Sequence, residues 1–377
     1  MGVRKRLMKV GITGGNGFIG WHLQCFLQTI GDVSEVKIAD RAIFSEKDTL
    51  VEFVNGLDVI VHLAGVNRAK DKELLSGNIN PALDLVEALN AHGNKPCIVY
   101  ASSTYAELKK GAYGSGKEEA GLILKKWGDK VGAKIVNLII PHVFGEYSRP
   151  FYNSAMATFC YQIIKGEDLN VDPEGFLELI HVQDLVEIIL QAAGDKNGSR
   201  SIRVDGRKIS VTEVVSLLNK LHEEYVVHNR LPDLSDNFVR NLFNSLRSFI
   251  VNDNRIKFSH KITDERGWLV ETVKAGSGGQ CFVSTTKPEV TRGNHFHRRK
   301  IERFFVLQGK AEIKIRKLFT NDVIVFNLDG SSPSFVDIPT LCTHNITNIG
   351  DNDLITLFWA DEFFDSENPD TYFENVV

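Results

Sequence analysis

The 377-residue chain is 43% hydrophobic and 24% charged, the balance of a globular protein rather than a disordered or fibrous one, and no apolar run reaches the ~18 residues of a spanning helix. Its formal charge of −4 leaves no basic footprint for nucleic acid or an anionic membrane surface. The five cysteines (Cys25, Cys97, Cys160, Cys281, Cys342) are scattered and never form a CxxC pair, which argues against a disulfide framework and for a reducing, cytoplasmic setting.

A chain of this length exceeds what one hydrophobic core usually organises, so two domains are expected. The basic opening "MGVRKRLMK" runs into "VGIT" without the apolar segment of a signal peptide. Strands are predicted at "MKVGIT", "EVKIAD", "LDVIVHLAG", "PCIVYASS" and "AKIVNLII". Helices are predicted between them at "GFIGWHLQCFLQTI", "PALDLVEALNAHG" and "KEEAGLILKKWGDKVG". Continuously apolar strands alternating with amphipathic helices predict a parallel sheet covered on both faces, a Rossmann-type α/β fold. Residues 150–247 read as helices and loops of a substrate-binding lobe. Beyond residue 250 the strands become short and turn-separated: "GQCFVSTT", "ERFFVLQG", "KAEIKIRKL", "DVIVFNL", "SFVDIP" and "DLITLFWA". That pattern predicts an antiparallel all-β sandwich or barrel. The expected domains are 1–249 and 250–377, with the boundary inside "SLRSFIVNDN", residues 245–254.

"TGGNGFIG" sets Gly14, Gly17 and Gly20 after a strand and at the mouth of a helix. Glycines there allow a tight turn, close approach to a pyrophosphate and close helix–strand packing. At the end of the second strand, Asp40 would accept from ribose hydroxyls as in NAD enzymes, whereas Arg41 would pair with a 2′-phosphate as in NADP enzymes. The two residues disagree.

The GxxGxxG spacing, "VIVHLAG", Asn78, and "YASS" followed by Tyr113-Gly-Ser-Gly-Lys117 together resemble the extended short-chain dehydrogenase/reductase family. The resemblance implies a dinucleotide site made by Gly14, Gly17, Phe18, Ile19, Gly20, Asp40, Arg41, Leu63, Ala64, Gly65, Asn78 and Lys117. It also implies an acid–base pair, Tyr113 and Lys117, with Ser103 binding the reacting oxygen and Ser102 as the alternative if the register slips by one. The physics agrees: a tyrosine of pKa ~10 needs a nearby ammonium to be lowered. Family dehydratases carry an Asp-Glu pair after this hydroxyl. Here Thr104 and Tyr105 follow, so elimination is not expected, and reduction, oxidation or epimerisation of a nucleotide sugar remains.

In "GNHFHRRKIERFFVLQG", His295 and His297 share a strand face, Glu302 follows a turn, and "PTLCTHN" supplies His344. Their spacing resembles the two cupin motifs, which implies a divalent metal. Zinc is expected, with iron, manganese and nickel equally compatible. Two departures stand out: Glu289 and Leu341 occupy positions where that pattern has glycine. Cys342 reads as a buried small residue. Lys300 is a candidate proton-transfer group, the alternative being a solvated turn residue.

The order of domains, with "HLAGVNR", "YNSAMATFCY", "GNHFH", "THNI" and "NPDTYF", resembles the CapF/WbjC/FnlB-type bifunctional capsule-precursor enzymes. That resemblance implies a cytoplasmic homodimer without nucleic-acid or membrane partners. Its substrate would be a UDP-sugar contacted by Ser103, Arg149 and Asn153, with NADPH favoured over NADH. The cupin would epimerise C3 of a 4-keto-6-deoxy UDP-N-acetylhexosamine. The reductase would then deliver hydride to C4, on the route to UDP-N-acetyl-L-fucosamine. The alternatives are an NAD-dependent 4-epimerase or a reductase with a purely structural cupin, and, from another class, a non-enzymatic NADP sensor. Tyr113 and Lys117 count against the last.

Overall fold

The computed structural model describes residues 8–250, 256–258, 261–264, 267–270, 273, 279–362 and 365–377. Packing divides the chain into two units, Met1–Thr158 with Val171–Thr212, and Phe159–Asn170 with Glu213–Val377. The first half of the chain runs β1 (Met8–Thr13), α1 (Phe18–Leu27), β2 (Val33–Ala39), α2 (Arg41–Ser45), α3 (Lys47–Val54), β3 (Val59–His62), α4 (Asp71–His92), β4 (Cys97–Ala101), α5 (Thr104–Glu107), α6 (Gly111–Val131), β5 (Ile135–Ile139) and β6 (His142–Phe144). It continues with α7 (Ala155–Lys165), β7 (Phe176–His181), α8 (Val182–Gly194), β8 (Arg200–Arg203), β9 (Arg207–Ser210), α9 (Val211–His222) and α10 (Asn237–Arg247).

Six of these strands form one parallel sheet in the order β2-β1-β3-β4-β5-β8. Side chains alternate between its faces and both faces are buried. Val59, Val61 and Val99 enter the core with Leu23 and Leu185, whereas Ile60, Ile98 and Tyr100 enter the core with Leu85 and Leu124. This is the predicted parallel sheet with helices on both sides. The expected helix–loop lobe is richer than predicted, because β8 extends the main sheet and β6, β7 and β9 form a small sheet of their own. Strands such as "RSIR" and "RKIS" carry little apolar periodicity, and neighbours supply what propensity does not.

Helix α4 starts at Asp71, ten residues ahead of the predicted start at Pro81, which lies inside the helix. Packing explains the difference. A Cβ on Gly116 of α6 would lie 3.2 Å from the Leu74 carbonyl and 3.3 Å from the Asn78 Cβ, so α6 grips the front half of α4 closely.

The second half adds β10 (Ile256–Phe258), β11 (Lys261–Asp264), β12 (Gly267–Val270), β13 (Gln280–Thr286), β14 (Thr291–Phe296), β15 (Glu302–Gln308), β16 (Lys310–Lys317), β17 (Val323–Asp329), β18 (Ser334–Ile338), β19 (Cys342–Asn348), β20 (Leu354–Ala360) and β21 (Tyr372–Phe373). They form two five-stranded sheets, β10-β18-β15-β20-β13 and β17-β16-β19-β14-β21, with β11 and β12 pairing as a hairpin. All pairings here are antiparallel, as the short, turn-separated strands predict.

The division by packing at Thr212 precedes the boundary expected at 245–254, of which residues 251–254 lie outside the described residues. A buried charge cluster within the second unit accounts for this. Arg303 of β15 holds Asp337 of β18 through Nε at 2.7 Å and a second nitrogen at 3.1 Å, and the Tyr225 hydroxyl donates to the same carboxylate. Arg247, from the end of α10, donates to the Ile338 carbonyl at 3.2 Å. Residues preceding 250 are thus fastened to the β sheets by polar contacts that hydrophobic patterning does not reveal.

Candidate active site and metal centre

In the first unit, the β1–α1 turn is shaped by backbone constraint. Gly14 has φ +71°, and its Cβ would meet the Ala64 amide nitrogen at 2.9 Å; a Cβ on Gly20 would meet the Gly14 carbonyl at 2.6 Å. Gly17 caps α1, and Phe18 and Ile19 open it, so helix amides converge beyond the turn, the arrangement that binds phosphate. Leu63 and Ala64 continue from β3 and bond to Thr13 through their amides. Asp40 caps α2: its Oδ1 accepts from the amides of Ala42 at 3.0 Å and Ile43 at 3.2 Å. Arg41 follows on the exposed surface.

The Ser103 side chain lies close enough to Tyr113 to favour the ionised phenol, and Tyr113 and Lys117 lie one turn apart on α6. Ser103 also caps α5, accepting from the Tyr105 amide at 3.2 Å. Of the two serines, Ser103 is the one whose side chain acts on Tyr113. Tyr105, standing where dehydratases have an acid, packs edge-on against Tyr113 with ring centroids 6.1 Å apart.

The electrostatics differ from expectation. Burial pushes the Tyr113 hydroxyl up to about 12, with the Ser103 side chain opposing, and Lys117 does not lower it. The Lys117 ammonium instead donates to the Ala101 carbonyl at 3.0 Å, and burial pushes its pKa down to about 8. Tyr113 is thus held as the protonated acid.

A nicotinamide dinucleotide fits this cradle. Gly65 has no side chain, and a Cβ there would meet the Asn78 Oδ1 at 2.4 Å and the Lys117 Nζ at 3.3 Å. Asn78 is buried and spends its amide nitrogen on the Val66 and Leu74 carbonyls, leaving Oδ1 without a partner among the described residues. His62 was not singled out from the sequence. It lies fully buried, bonded through Nδ1 to the Thr13 hydroxyl at 2.8 Å, and burial with the nearby Lys117 pushes it down to about 3. A lone polar residue in an apolar strand was its only signal. Arg149 and Asn153 lie on the exposed segment between β6 and α7, where the Arg149 guanidinium stacks on Tyr152 at 5.2 Å.

In the second unit, His295, His297, Glu302 and His344 converge, with their donor atoms all within 4.8 Å of one another. His295 is the penultimate residue of β14, His297 follows directly after the strand, and His344 belongs to β19 of the same sheet, while Glu302 opens β15 of the other sheet. The ladder skips Asn294, a bulge that turns His295 to stand opposite His344. Glu302 Oε2 lies 2.8 Å from His297 Nε2 and 3.2 Å from His344 Nε2. Burial pushes the Glu302 carboxyl up, but the two imidazoles outweigh it and hold the group well below the usual range. Burial and the neighbouring His344 and His297 push His295 down to about 3, so it offers a neutral lone pair. Three imidazoles and one carboxylate within one coordination sphere fit a divalent ion.

Lys300 is neither solvated nor aimed at these donors: it is buried, with its ammonium on the Pro369 carbonyl at 2.6 Å. Asp370, which was not anticipated, accepts at its carbonyl from His297 Nδ1 at 2.6 Å.

Residues 10–204 match the NAD dependent epimerase/dehydratase family, and residues 262–372 match the polysaccharide biosynthesis C-terminal domain. A reductase of Pseudomonas aeruginosa, named UDP-2-acetamido-2,6-beta-L-arabino-hexul-4-ose reductase, is 34% identical over 97% of this chain and 98% of its own length. The chain belongs to the NAD dependent epimerase/dehydratase family, as a CapF-like member. The crystal structure of the capsular polysaccharide assembling protein CapF from Staphylococcus aureus covers 98% of this chain and all of its own, at 32% identity and a TM-score of 0.62. At 20% identity and a TM-score of 0.52, the structure of RMD from Pseudomonas aeruginosa complexed with NADPH shares the fold of the first unit's family. Family membership brings dependence on a nicotinamide cofactor. No helix among the described residues is long and apolar enough to cross a membrane.

Proposed function

We propose that this CapF-like chain performs two consecutive steps on a 4-keto-6-deoxy UDP-N-acetylhexosamine. Residues 250–377 invert C3, and residues 1–249 then reduce C4 with NADPH, giving UDP-2-acetamido-2,6-dideoxy-β-L-talose on the route to UDP-N-acetyl-L-fucosamine. The carrying observation is that one chain holds both a Ser103–Tyr113–Lys117 reductase constellation and the four-donor cluster of His295, His297, Glu302 and His344. Full-length similarity to the Pseudomonas reductase supports the substrate class.

The order of steps follows from acidity. A 4-ketone acidifies the hydrogen at C3, so inversion precedes removal of the ketone. In the reductase step the bound cofactor supplies hydride to C4. Ser103 donates to the carbonyl oxygen, and Tyr113, kept protonated by burial, gives its proton to the oxygen as charge develops there. Lys117 and Asn78 hold the cofactor's ribose side, and Arg149 and Asn153 bind the sugar nucleotide. Asp40 is committed to the α2 cap through Oδ1, which favours Arg41 as the reader of a 2′-phosphate. His295, His297, Glu302 and His344 would hold zinc or another divalent ion, which when bound polarises a sugar oxygen.

The test offers the keto-sugar in deuterium oxide, first without and then with NADPH. Solvent deuterium should enter C3 without reduction, and NADPH should then be consumed in proportion to talose product. No exchange at C3 would remove the epimerase step. Turnover without net NADPH consumption would replace the reductase with a redox 4-epimerase.

A further inference from the structure

Residues 368–376, after the last long strand, bring no metal donor of their own, yet they touch the chain beside three of the four donors. Strand β21 pairs with β14, Phe373 opposite His295 and Tyr372 opposite Phe296. The Asp370 carbonyl takes the Nδ1 proton of His297 at 2.6 Å. Thr343, next to His344, donates its hydroxyl to the Glu374 carbonyl, and the Glu374 amide donates to the Asn294 carbonyl at 2.9 Å.

Asp370 is the fixed point of this segment. It is fully buried, with φ 44°, a left-handed backbone that a non-glycine residue adopts only when its surroundings enforce it. Its carboxylate accepts from the amides of Arg299 and Lys300, each at 2.9 Å, and of Arg298 at 3.3 Å. These are the residues of the turn that joins His297 to Glu302. Lys300 closes the arrangement from the other side through Pro369 at 2.6 Å and the Thr371 hydroxyl at 3.4 Å. Further along, Arg316 holds the Val376 and Asn375 carbonyls, and Val376 is buried.

We propose that 368–376 is a clasp of the metal centre and that Asp370 is its positioning residue. Its side chain sets the turn between two donors. Its carbonyl fixes the His297 tautomer that leaves Nε2 as the donor. A carbonyl or carboxylate on the far nitrogen of a ligating imidazole sets ring orientation and basicity, and its loss typically costs about 10–100-fold in metal affinity. The inference rests on the reading that His295, His297, Glu302 and His344 take a divalent ion.

The test uses the full chain, stripped of metal and titrated with Zn²⁺ against a chelating dye, and with Co²⁺ followed by its visible spectrum. Asp370→Ala keeps the main-chain carbonyl but removes the carboxylate that places it and sets the turn, so His297 should lose its fixed partner. Zn²⁺ should then weaken, by about 10–100-fold where that contact is lost, and the Co²⁺ bands should move. Asp370→Asn, which keeps an acceptor and tolerates the left-handed backbone, should fall between Asp370→Ala and wild type. Wild-type affinity and an unmoved Co²⁺ spectrum in Asp370→Ala overturn the proposal, even if the metal-free protein melts earlier. If Asp370→Ala does not fold, Asp370→Asn and Lys300→Met carry the same readouts, and wild-type values in both overturn it. Wild-type protein that takes neither ion overturns the metal reading itself, and the clasp with it.

Discussion

His295 and His344 stand directly opposite each other in the β14–β19 ladder, their ring centroids 4.7 Å apart. A bulge at Asn294 brings them there, and Glu302 reaches them from the other sheet. The two sheets therefore meet at the donor cluster, and an ion bound there would tie them together. Stripping the metal should lower the stability of the second unit, by ~2.7 kcal/mol where free metal stands at a hundredfold its dissociation constant. His344→Ala should abolish that metal-dependent gain, measured as the difference in melting with and without added Zn²⁺. An equal gain in the variant would show that the ion binds elsewhere.

Lys117 sets a pH dependence whose sign can be worked out. Its folded pKa of about 8 is depressed from 10.5 by burial. Between those values the unfolded chain carries a proton that the folded chain does not, so this group's contribution to stability rises with pH across the window and is lost as pH falls through about 8. If Lys117 holds the cofactor ribose as proposed, cofactor binding needs the opposite, charged state. The kcat/KM for NADPH oxidation should therefore decline above pH ~8, the folded value, rather than near the ordinary lysine range. Lys117→Arg, which stays protonated, should move that limb upward. An unmoved limb would assign it to another group.

The Asp40–Arg41 conflict left open by the sequence yields a third measurable outcome. Asp40 is occupied at the α2 cap, while Arg41 is exposed beside it. If Arg41 reads the 2′-phosphate, Arg41→Ala should weaken NADPH by about tenfold to a hundredfold, as expected for loss of ~1.5–3 kcal/mol in hydrogen bonds to a charged group. NADH should change little. Equal losses for both cofactors would transfer the selectivity to Asp40.

Glu289 and Leu341 show where sequence reading reached and where it stopped. Both occupy positions at which the cupin pattern has glycine, and both adopt the backbone that glycine favours, with φ 64° and 58°. The loop geometry is kept and the strain accepted. The parallel sheet and the donor spacing were legible because apolar periodicity and ligand spacing are written in side-chain types. The Asp370 clasp was not, since its key contact is a main-chain carbonyl. Nor was the early start of α4, which depends on Gly116 of another helix, nor the Tyr225–Asp337 contact, made across more than a hundred residues. Glu289 is exposed, so Glu289→Gly should relieve strain and stabilise by about 1 kcal/mol. Leu341 is buried, so Leu341→Gly should lose more in the cavity, about 2–5 kcal/mol, than it recovers. Thermal melts of the two variants should move in opposite directions.

The buried Arg303–Asp337 pair is a large electrostatic commitment within the second unit. Both groups are almost fully buried, and the Arg303 guanidinium also lies 3.8 Å above the Phe335 ring. Such a pair gains little over well-packed apolar residues, but breaking it leaves an uncompensated charge in a dry site. Asp337→Ala should therefore cost about 3–5 kcal/mol in urea unfolding of the second unit. The double substitution Arg303→Met with Asp337→Leu should recover part of that loss, because Arg303 is then no longer stranded, although the buried Arg247 still loses the nearby carboxylate. Tyr225→Phe removes one hydrogen bond to the carboxylate and should cost less, about 1.5–3 kcal/mol. The first unit has its own cores on both sheet faces, so NADPH affinity should be unchanged in all three variants. Arg303 directly follows Glu302 on β15, so the pair also anchors the strand end that carries the carboxylate donor. Zn²⁺ retention should accordingly drop in Asp337→Ala and return in the double variant. Retention that stays normal while stability falls would show that the strand end is held by its backbone ladders to β18 and β20 without the ion pair.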